Sequence, residues 1–211
     1  MANRPAAVIF DVGNVLYDWN PRFLYERLID DDRALDAFLR DVCTKDWHFQ
    51  HDAGRPFAET SAELAARFPE HAALIAAWGP RFIEQLGDML PGMREIVLEL
   101  DARAVPLYAI TNFSHEFWPP FRAREAAIFD RFRDIVVSGE ERLVKPDPAI
   151  YALAQKRFGL AGPDAIFIDD RLDNVEAARA AGMLAHHFTG AEGLRAELAA
   201  LGLLGETAEA V

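Results

Sequence analysis

The sequence predicts an α/β protein, a parallel sheet covered by helices and interrupted once by a helical insertion. Three observations carry this reading. Short apolar runs rich in β-branched residues recur at residues 6–10, 105–110, 134–137, 165–168 and 183–188. Helical patterns separate most of them, and such alternation argues for a parallel sheet with both faces covered. Residues 19–88 break the rhythm, with helical stripes and no convincing strand.

The first run, Ala7-Val8-Ile9-Phe10, stops at Asp11. Asn20-Pro21 then reads as an N-cap followed by proline at the first helical position. Leu35, Phe38, Leu39 and Val42 form one helical stripe. Phe57, Leu64 and Phe68 form a weaker one, with Ser61 on the same face. Leu90-Pro91-Gly92 marks the return to the sheet, and Met93, Ile96, Val97 and Leu100 follow helical spacing. Gly182 falls where a C-terminal cap is expected after residues 174–181. The expected organisation is a core of residues 1–18 and 89–211 with a helical cap of residues 19–88. Ligands of open α/β sheets bind beyond the carboxyl ends of the strands. An insertion leaving from that end would stand over the site as a lid.

A chain of 211 residues fits one large domain, or a core with a smaller insert. Its 51% hydrophobic and 27% charged residues point to a packed globule. The formal net charge of −12 disfavours nucleic acid and anionic membrane as partners, because phosphate contacts need clustered Lys and Arg. Cys43 is the only cysteine, so no internal disulfide forms, which is compatible with the cytoplasm. Its expected role is a buried core thiol. No apolar run reaches membrane-spanning length, and Asp11 interrupts the only candidate signal segment.

The most informative feature is Asp169-Asp170 at the end of Ala165-Ile166-Phe167-Ile168. With Asp11 at the end of a neighbouring strand, three carboxylates would gather at one sheet edge. Hard oxygen ligands in such a group suit Mg²⁺. Each Asp alone reads equally well as a turn or helix-cap residue. Four clusters lie at strand ends or just beyond them: Asp11-Val12-Gly13-Asn14-Val15, Thr111-Asn112, Lys145-Pro146, and Asp169-Asp170 with Asp173-Asn174. Their order and placement are far more specific than any one of them.

On these motifs the chain resembles the haloacid dehalogenase-like hydrolase superfamily, over nearly its whole length. The helical insertion resembles the cap of the branch whose cap follows the first motif. The resemblance implies a Rossmann-like core and a nucleophile at Asp11. It implies a phosphoryl-binding hydroxyl at Thr111, aided by Asn112, and a charge-neutralising lysine at Lys145. It implies Mg²⁺ held by Asp11, Asp170 and the Gly13 carbonyl, with Asp169, Asp173 and Asn174 orienting metal-bound water or the lysine. The implied partner is a small phosphorylated metabolite. Asp is ionised at neutral pH, so Asp11 needs no base for the first step.

Phosphatases of the family usually carry a second Asp two residues after the nucleophile, as general acid and base. Gly13 stands there in this chain. Three explanations compete. The acid comes from the cap, where Trp47-His48-Phe49-Gln50-His51-Asp52 offers two histidines and a carboxylate, although solvated histidines at a helix end are the plainer expectation. Alternatively, the leaving group needs little help, as with a sugar anomeric oxygen. Or the reaction releases halide, as in the metal-independent 2-haloacid dehalogenases. The extra charge of Asp169-Asp170 argues against a metal-free site for a haloacid. A non-catalytic binding protein of the same fold is the remaining alternative, against which Asp11, Thr111, Lys145 and Asp170 all speak. The pattern Asp11-x-Gly13-Asn14-Val15 is similar to a branch that includes sugar-1-phosphate phosphatases, so a sugar phosphate is the leading substrate expectation. Trp118-Pro119-Pro120 is expected to form a rigid surface loop.

Overall fold

The structure is a computed structural model and describes residues 4–205. In chain order, β1 (Ala7–Phe10) is followed by β2 (Tyr17–Trp19), α1 (Arg22–Tyr25), α2 (Asp32–Ala37), α3 (Lys45–Asp52), α4 (Phe57–Arg67), α5 (Ala72–Ala77) and β3 (Leu86–Met89). Then come α6 (Met93–Ala102), β4 (Leu107–Thr111), α7 (Trp118–Arg124), α8 (Ala126–Phe129), β5 (Asp134–Val137) and α9 (Ser138–Glu141). The chain closes with α10 (Pro148–Phe158), β6 (Ala165–Asp169), α11 (Leu172–Ala180), β7 (Leu184–His187) and α12 (Ala191–Ala200).

Five strands form one parallel sheet in the order β5-β4-β1-β6-β7. Alternate side chains enter different cores, as strand pleating requires. Val8 and Phe10 face one cluster with Ile166 and Ile168. Ala7 and Ile9 face the other with Ala165 and Phe167. Both faces are therefore apolar, which is why the strands read as continuous hydrophobic runs. On α6 the predicted stripe Met93, Ile96, Val97 and Leu100 is fully buried. Because β1 is the central strand and its neighbours run parallel, Asp11, Thr111 and Asp169 arrive at one edge of the sheet.

Between Trp19 and Leu86 every assigned element is helical. Thr44 caps α3 by accepting from the Trp47 N–H at 3.0 Å. Asn20 accepts from the Arg22 N–H at 3.0 Å, but α1 begins at Arg22 with Pro21 at the N-cap position, one residue later than expected. The stripe Leu35, Phe38, Val42 is buried along α2 and the wider turn that continues it. On α4 the buried polar residue is Thr60 rather than Ser61, because Thr60 shares the inward face with Leu64.

Two expectations need correction. Tyr17–Trp19 and Leu86–Met89 pair as a two-stranded antiparallel ribbon that straddles both ends of the helical segment. With Gly87 and Asp88 in the second strand, no apolar alternation announced it. Trp118-Pro119-Pro120 is no surface loop but the first turn of α7, where missing N–H donors cost nothing. Trp118 is buried against Phe113, Phe121 and Phe129.

Candidate active site

At the carboxyl edge of the sheet, Lys145 lies in the loop between α9 and α10 and is only 2% exposed. A buried ammonium is stable only when paired. Lys145 Nζ donates to Asp11 Oδ1 at 2.8 Å and to Asp169 Oδ2 at 2.7 Å. Those two carboxylates raise its pKa above the ordinary lysine value, outweighing the burial that would lower it. The loop is fixed by Asn112, which accepts from the Lys145 N–H at 2.8 Å and donates to its carbonyl at 3.0 Å. The Asn112 amide thus holds the lysine's backbone, and its residue also lines the adjoining cavity.

Asp169 is saturated by protein donors. Besides Lys145, Asn174 Nδ2 reaches both its oxygens at 3.0 and 3.1 Å, and the Arg171 N–H donates at 2.9 Å. Asn174 therefore orients an acid of the cluster, where metal-bound water or the lysine was expected. Asp173 does not. It is exposed on the first turn of α11 and pairs with Arg171 at 2.6 Å, because its position on the helix turns it away from the sheet edge.

Asp11, Asp169 and Asp170 offer oxygens that lie within 4.8 Å of one another. Three carboxylates against the single ammonium of Lys145 leave two negative charges, the complement of a divalent cation. Burial pushes the Asp11 carboxyl up to about 7, with Lys145 opposing and Asp169 adding to the shift. Burial and Asp169 likewise raise Asp170. The donor set is all oxygen and only one of the three acids is fully satisfied by the protein, so the residues fit Mg²⁺. Thr111 ends β4 with its hydroxyl oxygen buried and without a hydrogen-bond partner.

Asp11 and Asp170 floor a cavity of about 430 Å³. Asp11, Gly13, Lys145 and Asp170 form its core side. Trp19, Phe49, Phe82, Leu86 and Phe113 supply apolar wall, and His48 and Asp52 come from α3. The walls were not legible as a site, because Phe82 and Phe113 are far from Trp19 in sequence and carry no local motif. The histidines are buried rather than solvated. Helical spacing puts Trp47, His48, His51 and Asp52 on one face of α3, and that face is turned inward. His48 stacks between Trp19 and Phe82. Burial lowers His48 to about 3, with His51 adding to the shift, and lowers His51 to about 4. Both are neutral. Asp52 moves the other way, pushed up to about 8 by burial and then by the charge of Asp11.

Gly13 does not have a positive φ, and an added Cβ would meet nothing nearer than Trp19 Cβ at 4.0 Å. The left-handed residue of the turn is Asn14, at φ 57°. The backbone at position 13 therefore does not require glycine.

A family model of haloacid dehalogenase-like hydrolases matches residues 5–182. The chain belongs to that family. Among relatives of this hydrolase, a sesquiterpene phosphatase of Aspergillus oryzae is 29% identical over 87% of this chain and 89% of its own length. A phosphorylated carbohydrates phosphatase of Thermotoga maritima is 24% identical over 84% of this chain and 82% of its own. A phosphoglycolate phosphatase of Nitrosospira multiformis is 40% identical, over 44% of this chain and 40% of its own length. Solved structures share the fold. A HAD-family enzyme of Bacteroides thetaiotaomicron, as a magnesium complex, superposes with a TM-score of 0.69 at 18% identity, covering 89% of this hydrolase and 95% of that chain. An L-2-haloacid dehalogenase of Xanthobacter autotrophicus gives 0.62 at 18% identity, covering 93% of this hydrolase and 83% of that chain. No helix among the described residues of the hydrolase is long and apolar enough to cross a membrane.

Proposed function

We propose that this hydrolase is a Mg²⁺-dependent phosphatase of small phosphomonoesters, acting through an aspartyl-phosphate on Asp11. The observation that carries the reading is the cluster of Asp11, Asp169 and Asp170 with Lys145 set between two of them. Such a site is short of positive charge by itself and suits a dianionic substrate only once a cation is added. A haloacid needs no metal and would be repelled by the second and third acids. Relatives named as phosphatases support the same choice.

In this mechanism Asp11 is the nucleophile, and its Oδ1 is held by Lys145 and by the Val12 N–H at 2.7 Å. Lys145 steadies the carboxylate and adds positive charge beside the incoming phosphoryl group. The partnerless Thr111 hydroxyl donates to a phosphoryl oxygen. Asp11, Asp170 and the Gly13 carbonyl would hold Mg²⁺, which when bound supplies charge neutralisation at the phosphoryl group. Attack breaks the ester P–O bond and forms the acyl phosphate, and water then hydrolyses it. Asp169 and Asn174 position Lys145.

The cap, residues 19–88, covers the leaving-group side and selects the substrate. Trp19, Phe49, Phe82, Leu86 and Phe113 favour an alcohol with an apolar face over the fully polar surface of a free sugar. A sugar phosphate is the second reading, favoured by Lys45, Asp46 and Arg171, which also line the cavity. The test is phosphate release from a panel of prenyl, alkyl and sugar phosphates with Mg²⁺, beside halide release from 2-haloacids. Phosphate release that stops on chelation supports the proposal. Halide release by chelated enzyme, or undiminished phosphate release after chelation, overturns it.

A further inference from the structure

The cavity has an acid on its cap side that the mechanism above does not use. Asp52 is the last residue of α3 and is 7% exposed. It lines the same cavity as Asp11, yet its Oδ1 is buried and has no hydrogen-bond partner. Its backbone is anchored on the core. Ser138 Oγ donates to the Asp52 carbonyl at 2.6 Å and accepts from the Phe113 N–H at 2.9 Å, so one hydroxyl joins α3 to the loop after β4. The approach is close on both sides. A Cβ on Gly54 would lie 3.0 Å from the Gly139 carbonyl oxygen, and one on Gly139 would lie 2.5 Å from the His115 nitrogen. Asp52 is therefore held in place against the floor of the site rather than carried on a free lid.

In-line displacement puts the leaving oxygen on the far side of phosphorus from the nucleophile. Asp11 attacks from the sheet edge, so the leaving oxygen faces the cap. We propose that Asp52 is the general acid and base of this enzyme, supplied by the cap in place of the carboxylate that Gly13 lacks.

The surroundings of Asp52 favour the protonated form that the role requires. Among the described residues no cation is paired with it: Lys45, which lines the same cavity, stands seven residues earlier at the start of α3, and Arg171 is bound to Asp173. Lys145 is bound to Asp11 and Asp169. His48, whose Nε2 is 3.7 Å from the Asp52 carboxyl, is neutral between its two aromatic faces. His48 Nδ1 in turn lies 3.5 Å from His51 Nδ1, and His51 Nε2 hydrogen-bonds the Thr60 hydroxyl at 2.7 Å. This chain of neutral groups offers Asp52 no charge, and the hydrogen bond from the Ser114 backbone, which favours the carboxylate, is outweighed by burial. Among the other carboxyls of the cavity, Asp11 and Asp170 belong to the metal cluster and Asp46 is exposed. In the first step the P–O bond breaks, its electron pair goes to the leaving oxygen, and that oxygen takes the Asp52 proton and departs as the alcohol. In the second, the Asp52 carboxylate takes a proton from the water that attacks the acyl phosphate. Asp11 leaves as a carboxylate, and Asp52 is protonated again.

The inference rests on the phosphatase reading, and the experiment separates the two. Single-turnover rates of alcohol release, which report the first step alone, are measured with Mg²⁺ for phosphate esters whose leaving-group pKa runs from 4-nitrophenol to simple alkanols. Wild type should depend weakly on leaving-group pKa. Asp52→Asn should lose about 10²–10⁴-fold on alkyl phosphates and little on 4-nitrophenyl phosphate, so the dependence steepens. Adding Gly13→Asp to Asp52→Asn should restore the alkyl phosphates, since a Cβ there meets nothing nearer than 4.0 Å. An equal loss on every ester, or no loss, overturns the role. Should Asp52→Asn not fold, Gly13→Asp alone decides. An unchanged weak dependence means that an acid was already present, whereas a dependence that flattens relative to wild type means that none was. Absence of phosphate release from every ester by wild type would instead sink the phosphatase reading itself.

Discussion

At the sheet edge Lys145 is buried between Asp11 and Asp169 and stays charged, whereas on α3 and α4 His48, His51 and Thr60 are buried as neutral groups. Desolvation acts on both clusters. What differs is the company. Opposite charges at 2.7–2.8 Å hold the lysine ionised, while aromatic rings around the histidines offer no counter-charge and drive the protons off. The floor of the cavity is thus built for electrostatics and its roof for packing and proton placement. Asp52 belongs to the roof in sequence and in burial, yet it lines the same cavity as the charged floor.

The largest effect is expected where the charged cluster does chemistry. Asp11→Asn should keep the Val12 N–H bond and the fold but lower phosphate release by at least about 10⁴-fold. The comparison with wild type requires mass-spectrometric proof that no deamidation has restored Asp. Near-normal turnover would remove Asp11 as the nucleophile.

Lys145→Met tests the pairing itself. It strands two carboxylates in the interior and should cost about 3–5 kcal/mol in urea unfolding. Combining it with Asp169→Asn should cost less than the sum of the single changes, since the stranded charge is then reduced. Strict additivity would mean that the two groups are not coupled.

On the neutral side, pH is the probe. His48 and His51 titrate near 6.5 when unfolded but near 3 and 4 when folded. Between those values the unfolded chain binds more protons, so their contribution is complete above 6.5 and is lost as pH falls through the folded values. Asp52 works oppositely. Its folded value is raised from 3.8 to about 8, so its contribution is present below 3.8 and is lost as pH rises through about 8. Urea midpoints of wild type and His48→Leu, compared between pH 4 and 6.5, should show the flatter acid slope in the variant. Identical slopes would mean that His48 is not held neutral.

Smaller effects follow at the edges of each cluster. Thr60→Val takes the partner from His51 Nε2 and should cost about 1–3 kcal/mol, read as a drop in the urea midpoint with turnover of 4-nitrophenyl phosphate retained. Gly13→Ala should change stability by no more than about 0.5 kcal/mol, because its Cβ meets only Trp19 Cβ at 4.0 Å. A large loss of stability there would show that the turn after β1 requires glycine after all.

By itself the sequence determined the parallel sheet, the helical segment between its first two strands, and Asp11, Thr111 and Asp170 at or just past strand ends. These are local signals, since a strand buried on both faces must be apolar throughout and its carboxyl end is where the apolar run stops. The ribbon of Tyr17–Trp19 with Leu86–Met89 was not legible, because pairing between short strands with polar residues depends on a partner distant along the chain. Nor was the state of the histidines. A helix with Trp47, His48, His51 and Asp52 on one face reads equally as wet or dry until Trp19, Phe82 and Phe113 arrive from elsewhere to close over it. Asp173 and Asn174 are neighbours in one motif, yet the 100° between successive helical positions sends the first to solvent and the second to Asp169. Tertiary structure decided those points because protonation and exposure depend on which groups the fold packs around a residue, and a one-dimensional pattern does not contain that.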